Sequence, residues 1–245
     1  MNDVLRLESI SKTFEGLEAL KNVSFAVEQG TIAGLIGPNG AGKTTLFNVV
    51  SGAFPPTSGR VIYRDENITG RPSYHIARLG IGRTFQIMKP FGSMTVLENV
   101  AVAAFHRHRD RGSALEAARV IVDRVDLGHW SGQRANVLPT AGRKRLELAR
   151  ALALRPSLLL LDEVLAGLAP GERTPVLELL RALNQEEDIT MLLVEHVMAA
   201  VMALSDVIHV LHHGELLASG SPKEVTSDPE VIEAYLGEEM LIADT

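Results

Sequence analysis

The stretch Gly37-Pro38-Asn39-Gly40-Ala41-Gly42-Lys43-Thr44-Thr45 constrains the fold more than any other feature of the chain, because it matches the phosphate-loop pattern G-x-x-x-x-G-K-[ST]. A short apolar run, Thr31 to Ile36, precedes it. Apolar residues at helical spacing (Leu46, Val49 and Val50) follow it, predicting a helix over Lys43 to Ser51. Strand, glycine-rich loop and helix in that order form an anion cradle. The glycines let consecutive backbone N–H groups curl around a phosphate. The helix N-terminus points its positive dipole end at the same anion. In such a loop Lys43 supplies a cation to the β- and γ-phosphates, and the Thr44 hydroxyl is placed for Mg²⁺.

The rest of the chain supplies the sheet that such a loop needs. Leu5 to Ile10 and Val23 to Val27 alternate apolar and polar residues and read as strands, as does Gly59 to Tyr63 after the turn at Pro55, Pro56 and Gly59. From about Val96 to Leu154 the chain is rich in Ala, Leu, Val, Glu and Arg with helical periodicity. This predicts a helical subdomain inserted into an α/β core. Strand-helix alternation then resumes: Ser157 to Leu161 (strand), Pro175 to Leu183 (helix), Thr190 to Val194 (strand) and Val197 to Leu204 (helix). Val207 to Leu211 and Glu215 to Ser219 form a hairpin across His212-His213-Gly214. The pattern predicts a mainly parallel, doubly wound sheet. A length of 245 residues suits one such domain with an insertion, and 46% apolar residues supply its core.

A second chemical signal lies at Leu158-Leu159-Leu160-Leu161-Asp162-Glu163. Four apolar residues make a buried strand, and two carboxylates stand at its C-terminal end, the edge where open α/β sheets bind ligands. Asp162 suits an aspartate that binds Mg²⁺ directly or through the ion's own ligands, and Glu163 is placed to orient or deprotonate an attacking water.

Composition removes other classes. A formal net charge of -6 disfavours a general nucleic-acid binder. The chain has no cysteine, so disulfides and thiolate metal sites are excluded. Met1 to Ser9 lacks the apolar core of a signal peptide, so a cytoplasmic location is expected. Ile189 to Leu211 is largely apolar, but Glu195, His196, Ser205 and Asp206 interrupt it. It reads as strand, helix and strand rather than a membrane span. The basic run Phe105 to Arg111 reads as a solvated loop, with docking onto an acidic loop or lipid headgroups as the other reading.

Around its two strong motifs the sequence resembles the ATP-binding cassette family over nearly its whole length. Thr84-Phe85-Gln86 resembles the family's Q-loop, Ala166-Gly167-Leu168-Ala169-Pro170 its D-loop, and Val194-Glu195-His196 its switch strand. Leu146 to Leu152 resembles the helix after the signature sequence. The resemblance implies an α/β P-loop NTPase (RecA-like) core with a mainly parallel sheet, an antiparallel β subdomain and an inserted α-helical subdomain. The core would span 1–86 and 154–245, and the insertion 87–153. It also implies ATP and Mg²⁺ as cofactors, Gln86 as a contact to Mg²⁺ and water, His196 as a partner of the γ-phosphate, and Phe14 as the ring stacked on adenine.

One motif departs from the family. Where its signature reads Leu-Ser-Gly-Gly-Gln, this chain has Leu138-Pro139-Thr140-Ala141-Gly142; an alignment shifted by one sets Ala141-Gly142 in place of the glycine pair. Pro139 has neither hydroxyl nor backbone N–H. Val164 stands where a proline often follows the catalytic glutamate. Within the family, Arg83-Thr84-Phe85-Gln86, Met94 to Val100 and the tail Val231 to Glu238 resemble the ATPase subunits of branched-chain amino acid importers. That implies integral membrane permease subunits, a second cassette (identical or different) and, indirectly, a substrate-binding protein as partners, at the cytoplasmic face of the membrane. A soluble or clamp-like cassette that hydrolyses weakly is the alternative.

Overall fold

The computed structural model describes residues 3–85 and 89–234. The chain forms two compact units, one from residues 1–76 with 190–245 and one from residues 77–189.

The first unit opens with β1 (Asp3–Phe14) and β2 (Leu17–Glu28), an antiparallel hairpin in which Phe14 pairs with Leu17. Glu15 and Gly16 both have positive φ, at 44° and 95°, the conformation of the tight turns that match strand twist. Both strands run beyond the alternating cores that hydropathy marks, because Lys12, Thr13 and Leu17 to Ala19 are solvent-facing rather than core. After β3 (Ile32–Ile36) and α1 (Lys43–Val50), the strand β4 (Ser58–Tyr63) pairs antiparallel with β1. β5 (Glu66–Asn67) adds to its edge across Arg64 and Asp65, again both at positive φ. The order β2-β1-β4-β5 is an antiparallel sheet. The short helix α2 (Ser73–Leu79) then leads onward.

In the second unit β6 (Ile81–Arg83) pairs in parallel with β7 (Leu158–Asp162), and three helices lie between them in sequence: α3 (Val96–Ala104), α4 (Arg111–Arg124) and α5 (Thr140–Leu152). The start of α3 is tightly specified. The Thr95 hydroxyl accepts from the Glu98 N–H at 3.1 Å while the Glu98 carboxylate accepts from the Thr95 N–H at 2.9 Å, a reciprocal cap. Those bonds hold the Glu98 carboxyl below the usual carboxylate range. Asn99, fully buried, accepts from the Phe91 N–H and donates to the Phe91 and Thr95 carbonyls, knotting the segment before α3. After β7 comes α6 (Pro170–Glu187), which starts five residues before the helix expected at Pro175. Pro170 occupies the first helical turn, and the Glu172 carboxylate accepts from the Ala169 N–H at 2.8 Å. Pro175 therefore lies inside the helix, where it forgoes one backbone bond.

The chain returns to the first unit through β8 (Thr190–Val194), α7 (Met198–Leu204), β9 (Val207–His212), β10 (Glu215–Gly220) and α8 (Pro222–Ser227). β3 lies between β8 and β9 and is parallel to both, and β10 closes as an antiparallel hairpin on β9. Every residue of β3 and β8 is buried. The stretch 189–211 is thus strand, helix and strand, and its polar residues have work inside the unit. Asp206 accepts from the Ile32 N–H at 2.8 Å while its own N–H donates to the Ile32 carbonyl at 2.8 Å. No helix among the described residues is long and apolar enough to cross a membrane. His209 of β9 is buried against Phe25 of β2, the rings stacked 4.1 Å apart, with the Ser219 hydroxyl 2.9 Å from Nδ1. Burial pushes its pKa down to about 4.

Candidate functional site

The phosphate loop leaves the C-terminal end of β3. Its backbone excludes side chains at two places. Gly37 has φ +150°, and a Cβ there would lie 2.1 Å from the Leu211 carbonyl oxygen. Gly42, at φ +104°, would bring one within 2.7 Å of the Ala19 carbonyl oxygen. Gly42 is also the N-cap of α1, and no side chain caps that helix. Its first turn carries no acidic residue, so the positive end of the helix is left for an anion. The Lys43 ammonium donates to the Gly37 and Pro38 carbonyls at 2.5 and 2.8 Å and folds back along the loop. Pro38 and Ala41 are buried, whereas Asn39, Gly40 and Thr44 are exposed and Thr45 is half-buried.

Parallel pairing brings His196 to the same edge. Leu35 of β3 pairs with Val194 of β8, so Gly37 and His196, each two residues further on, leave neighbouring strands at one level. His196 is exposed. Phe14 lies at the tip of the β1–β2 hairpin, 40% exposed, edge-on to Phe54 at 5.3 Å, with the Lys12 ammonium 5.0 Å from each ring. β2 runs from that tip past Ala19, whose carbonyl faces Gly42, so the hairpin joins the aromatic ring to the loop.

In the second unit, Asp162 ends β7 and is 2% exposed. Its N–H donates to the Thr84 hydroxyl at 3.0 Å, and the Thr84 N–H donates to the Leu160 carbonyl at 3.0 Å. The segment leading to Gln86 therefore continues the β6–β7 pairing up to the carboxylate. Gln86 itself lies outside the described residues, as does the tail from Tyr235 to Glu238. Arg83 donates to Asp162 Oδ2 at 3.1 Å, while Oδ1 is buried with no hydrogen-bond partner among the described residues. Burial pushes the Asp162 carboxyl up, the Arg83 hydrogen bond and charge pull it down, and Glu163 beside it pushes it up again. A buried carboxylate oxygen with no partner suits a divalent cation.

Glu163 has φ +49°, in the left-handed region that a glutamate rarely adopts. Its carbonyl accepts from the Lys144 ammonium at 2.5 Å and from the Ala166 N–H at 3.2 Å. The stretch Pro139-Thr140-Ala141-Gly142 begins α5. Pro139 is its N-cap, exposed, with no side-chain cap hydrogen bond. Gly142 is buried, and a Cβ there would stand 3.1 Å from Leu138 Cδ2. Thr140 borders the D-loop stretch: a Cβ on Gly167 would lie 3.9 Å from Thr140 Cγ2. The sequence reading missed Arg83 and Lys144. Arg83 stands in the Arg83-Thr84-Phe85-Gln86 stretch without a role of its own there, Lys144 lies in no motif, and only the hydrogen bonds reveal what the two hold. A faint signal was Lys144 at a core-facing position of an otherwise amphipathic helix.

A phosphate loop on a central parallel strand, with carboxylates ending another strand, defines a P-loop nucleotide-hydrolase fold. The model of the family described as "ABC transporter" matches residues 20–166, and one described as "Branched-chain amino acid ATP-binding cassette transporter" matches residues 215–240. The chain belongs to the ATP-binding cassette family of ABC transporters. It is 39% identical to the high-affinity branched-chain amino acid transport ATP-binding protein LivG of Salmonella typhimurium, over 96% of this chain and 98% of the relative. It is 39% identical to BraF of Pseudomonas aeruginosa at the same coverage. Among solved structures, a nucleotide-free ATP-binding cassette from an ABC transporter superposes with a TM-score of 0.87 at 32% identity, covering 95% of this chain and 98% of that one. The ADP conformation of a second such cassette gives 0.87 at 33% identity, covering 97% and 100%.

Proposed function

We propose that the chain energises import of a small solute, of the branched-chain or other amino acid class, by binding and hydrolysing ATP with Mg²⁺. The loop Gly37, Pro38, Asn39, Gly40, Ala41, Gly42, Lys43, Thr44 and Thr45 holds the phosphates through backbone N–H groups, the α1 dipole and the Lys43 ammonium. Phe14 stacks on adenine. Thr44, Asp162 and Gln86 would hold Mg²⁺, which would supply charge neutralisation for phosphoryl transfer. Glu163 orients the attacking water and takes up its proton, and His196 and Gln86 contact the γ-phosphate and the water. The observation that carries this reading is the level pairing of β3 with β8, which sets the phosphate loop and His196 at one strand edge.

ATP lies between two cassettes facing head to tail, each presenting the start of α5 (Pro139, Thr140, Ala141 and Gly142) to the other's phosphates. The second cassette is identical or a different chain. Integral membrane permease subunits bind the pair at the cytoplasmic face of the membrane, and a substrate-binding protein delivers solute to those subunits. Closure on ATP and release on hydrolysis move the transporter between two states, because the nucleotide binds one state more tightly.

The test is ATP turnover with Mg²⁺ across a range of protein concentrations, beside Glu163→Gln. Turnover per molecule that rises with concentration, and that Glu163→Gln reduces about 100-fold or more while ATP binding persists, is the expected result. Binding without turnover at any concentration, alone or with a partner cassette, would overturn the reading in favour of an ATP-gated clamp.

A further inference from the structure

Lys144 is buried, 8% exposed; its ammonium donates to the Glu163 carbonyl at 2.5 Å, and its charge also bears on the Asp162 carboxyl, which it pulls down. Burying an ammonium is costly unless it is paired and hydrogen-bonded, and here both interactions are with residues at the end of β7. The residue it holds has a strained backbone: Glu163 at φ +49°, directly after the strand that carries Asp162. Such conformations persist only where surrounding contacts over-determine them. Here the Glu163 carbonyl is held twice, by Lys144 and by the Ala166 N–H.

Lys144 also connects this backbone to something else. It stands four positions after Thr140, on the same face of α5 one turn further along. Thr140 begins the helix and borders Gly167. Leu146 and Ala149 are fully buried, so α5 moves as a rod rather than residue by residue. A shift of the exposed start of α5 therefore reaches Glu163 through one side chain.

We propose that Lys144 is a positioning residue for hydrolysis, tying the helix start that meets the opposing cassette's nucleotide to the carboxylate that orients water in its own. It acts through the Glu163 backbone, fixing where that side chain points, and does not touch nucleotide. The proposal rests on the role given to Glu163 above.

The experiment compares ATP hydrolysis and nucleotide affinity for the full chain carrying Lys144→Met, Lys144→Gln or Lys144→Arg, alone and with Glu163→Gln. Lys144→Met is expected to lower kcat about tenfold or more with KM for ATP within about twofold, and Lys144→Arg to recover most of it. On the Glu163→Gln background the same change is expected to leave residual turnover unaltered, because both act through one group. Wild-type kcat in Lys144→Met overturns the proposal alone. So does an equal proportional loss on both backgrounds, or a failure of both Lys144→Met and Lys144→Gln to fold, either of which marks a structural anchor. A wild type without turnover overturns the role of Glu163 and this proposal together.

Discussion

Arg83 and Asp162 form a buried ion pair, Nη2 to Oδ2 at 3.1 Å, with side chains 8% and 2% exposed. The pair joins β6 to β7 just beyond their last backbone pairing, Arg83 with Leu160. It also leaves the other carboxylate oxygen buried and partnerless among the described residues. Arg83 thus holds Asp162 in one orientation, and its hydrogen bond and charge oppose the upward push that burial gives the carboxyl.

Arg83→Met should therefore be worse than losing one hydrogen bond. It strands a carboxylate in a buried site, a change that costs about 3 kcal/mol in comparable pairs. Urea unfolding should show that loss. The double variant Arg83→Met with Asp162→Asn should regain more than half of it, because the stranded charge is gone. Asp162→Asn should also abolish the Mg²⁺ dependence of ATP affinity, read by titration with a fluorescent nucleotide.

The phosphate loop makes a sharper comparison between two glycines. A Cβ on Gly37 meets the Leu211 carbonyl oxygen at 2.1 Å, whereas one on Gly40 meets nothing within 4 Å. Gly40 has φ +80°, so Gly40→Ala bears backbone strain alone, about 1 kcal/mol. Gly37→Ala must displace β9 or the loop and should cost roughly twice that or more. Thermal unfolding ranks the two, and nucleotide titration should show Gly37→Ala with no measurable binding.

The parts of this fold that were legible in the sequence are those where local chemistry and tertiary context agree. The phosphate loop must have glycines, and β3, β7 and β8 are mainly apolar runs whose every residue is buried. The parts that were not legible depend on partners distant in sequence. β6 has only three residues and exists because β7 lies beside it. The start of α6 was hidden because Pro170 and Pro175 are both plausible first-turn residues. Only the bond from the Ala169 N–H to Glu172 decides between them. Arg83 marks a subgroup motif and Lys144 reads as an ordinary basic residue, and neither has a visible partner until the fold places one on Asp162 and the other on the Glu163 carbonyl.

His209 predicts a pH response that has nothing to do with catalysis. Its pKa in the fold is about 4, because burial disfavours the charged ring. In the unfolded chain it returns to about 6.5. Below that value the unfolded chain takes up a proton that the folded chain refuses. Stability is therefore full above about pH 6.5 and falls as pH drops towards 4, by up to about 3 kcal/mol. Unfolding between pH 7 and 5, above the range where most carboxylates titrate, should show the slope. His209→Gln should flatten it in that window.

The altered signature predicts a gain rather than a loss. α5 begins at Thr140, and its exposed N-cap, Pro139, offers no side chain to receive the first N–H groups. Pro139→Ser would place a hydroxyl where the family's signature has one. In the isolated chain that hydroxyl can accept from the N–H groups of the first helical turn, which stabilises a helix by about 1 kcal/mol. In the paired cassettes it would instead donate to the opposing γ-phosphate, adding a transition-state contact. Turnover at high protein concentration should then rise in Pro139→Ser while turnover at low concentration stays near wild type, since only the paired form completes the site. A gain equal at both concentrations would trace the effect to helix stability, and the role of this turn at the opposing nucleotide would have to be abandoned.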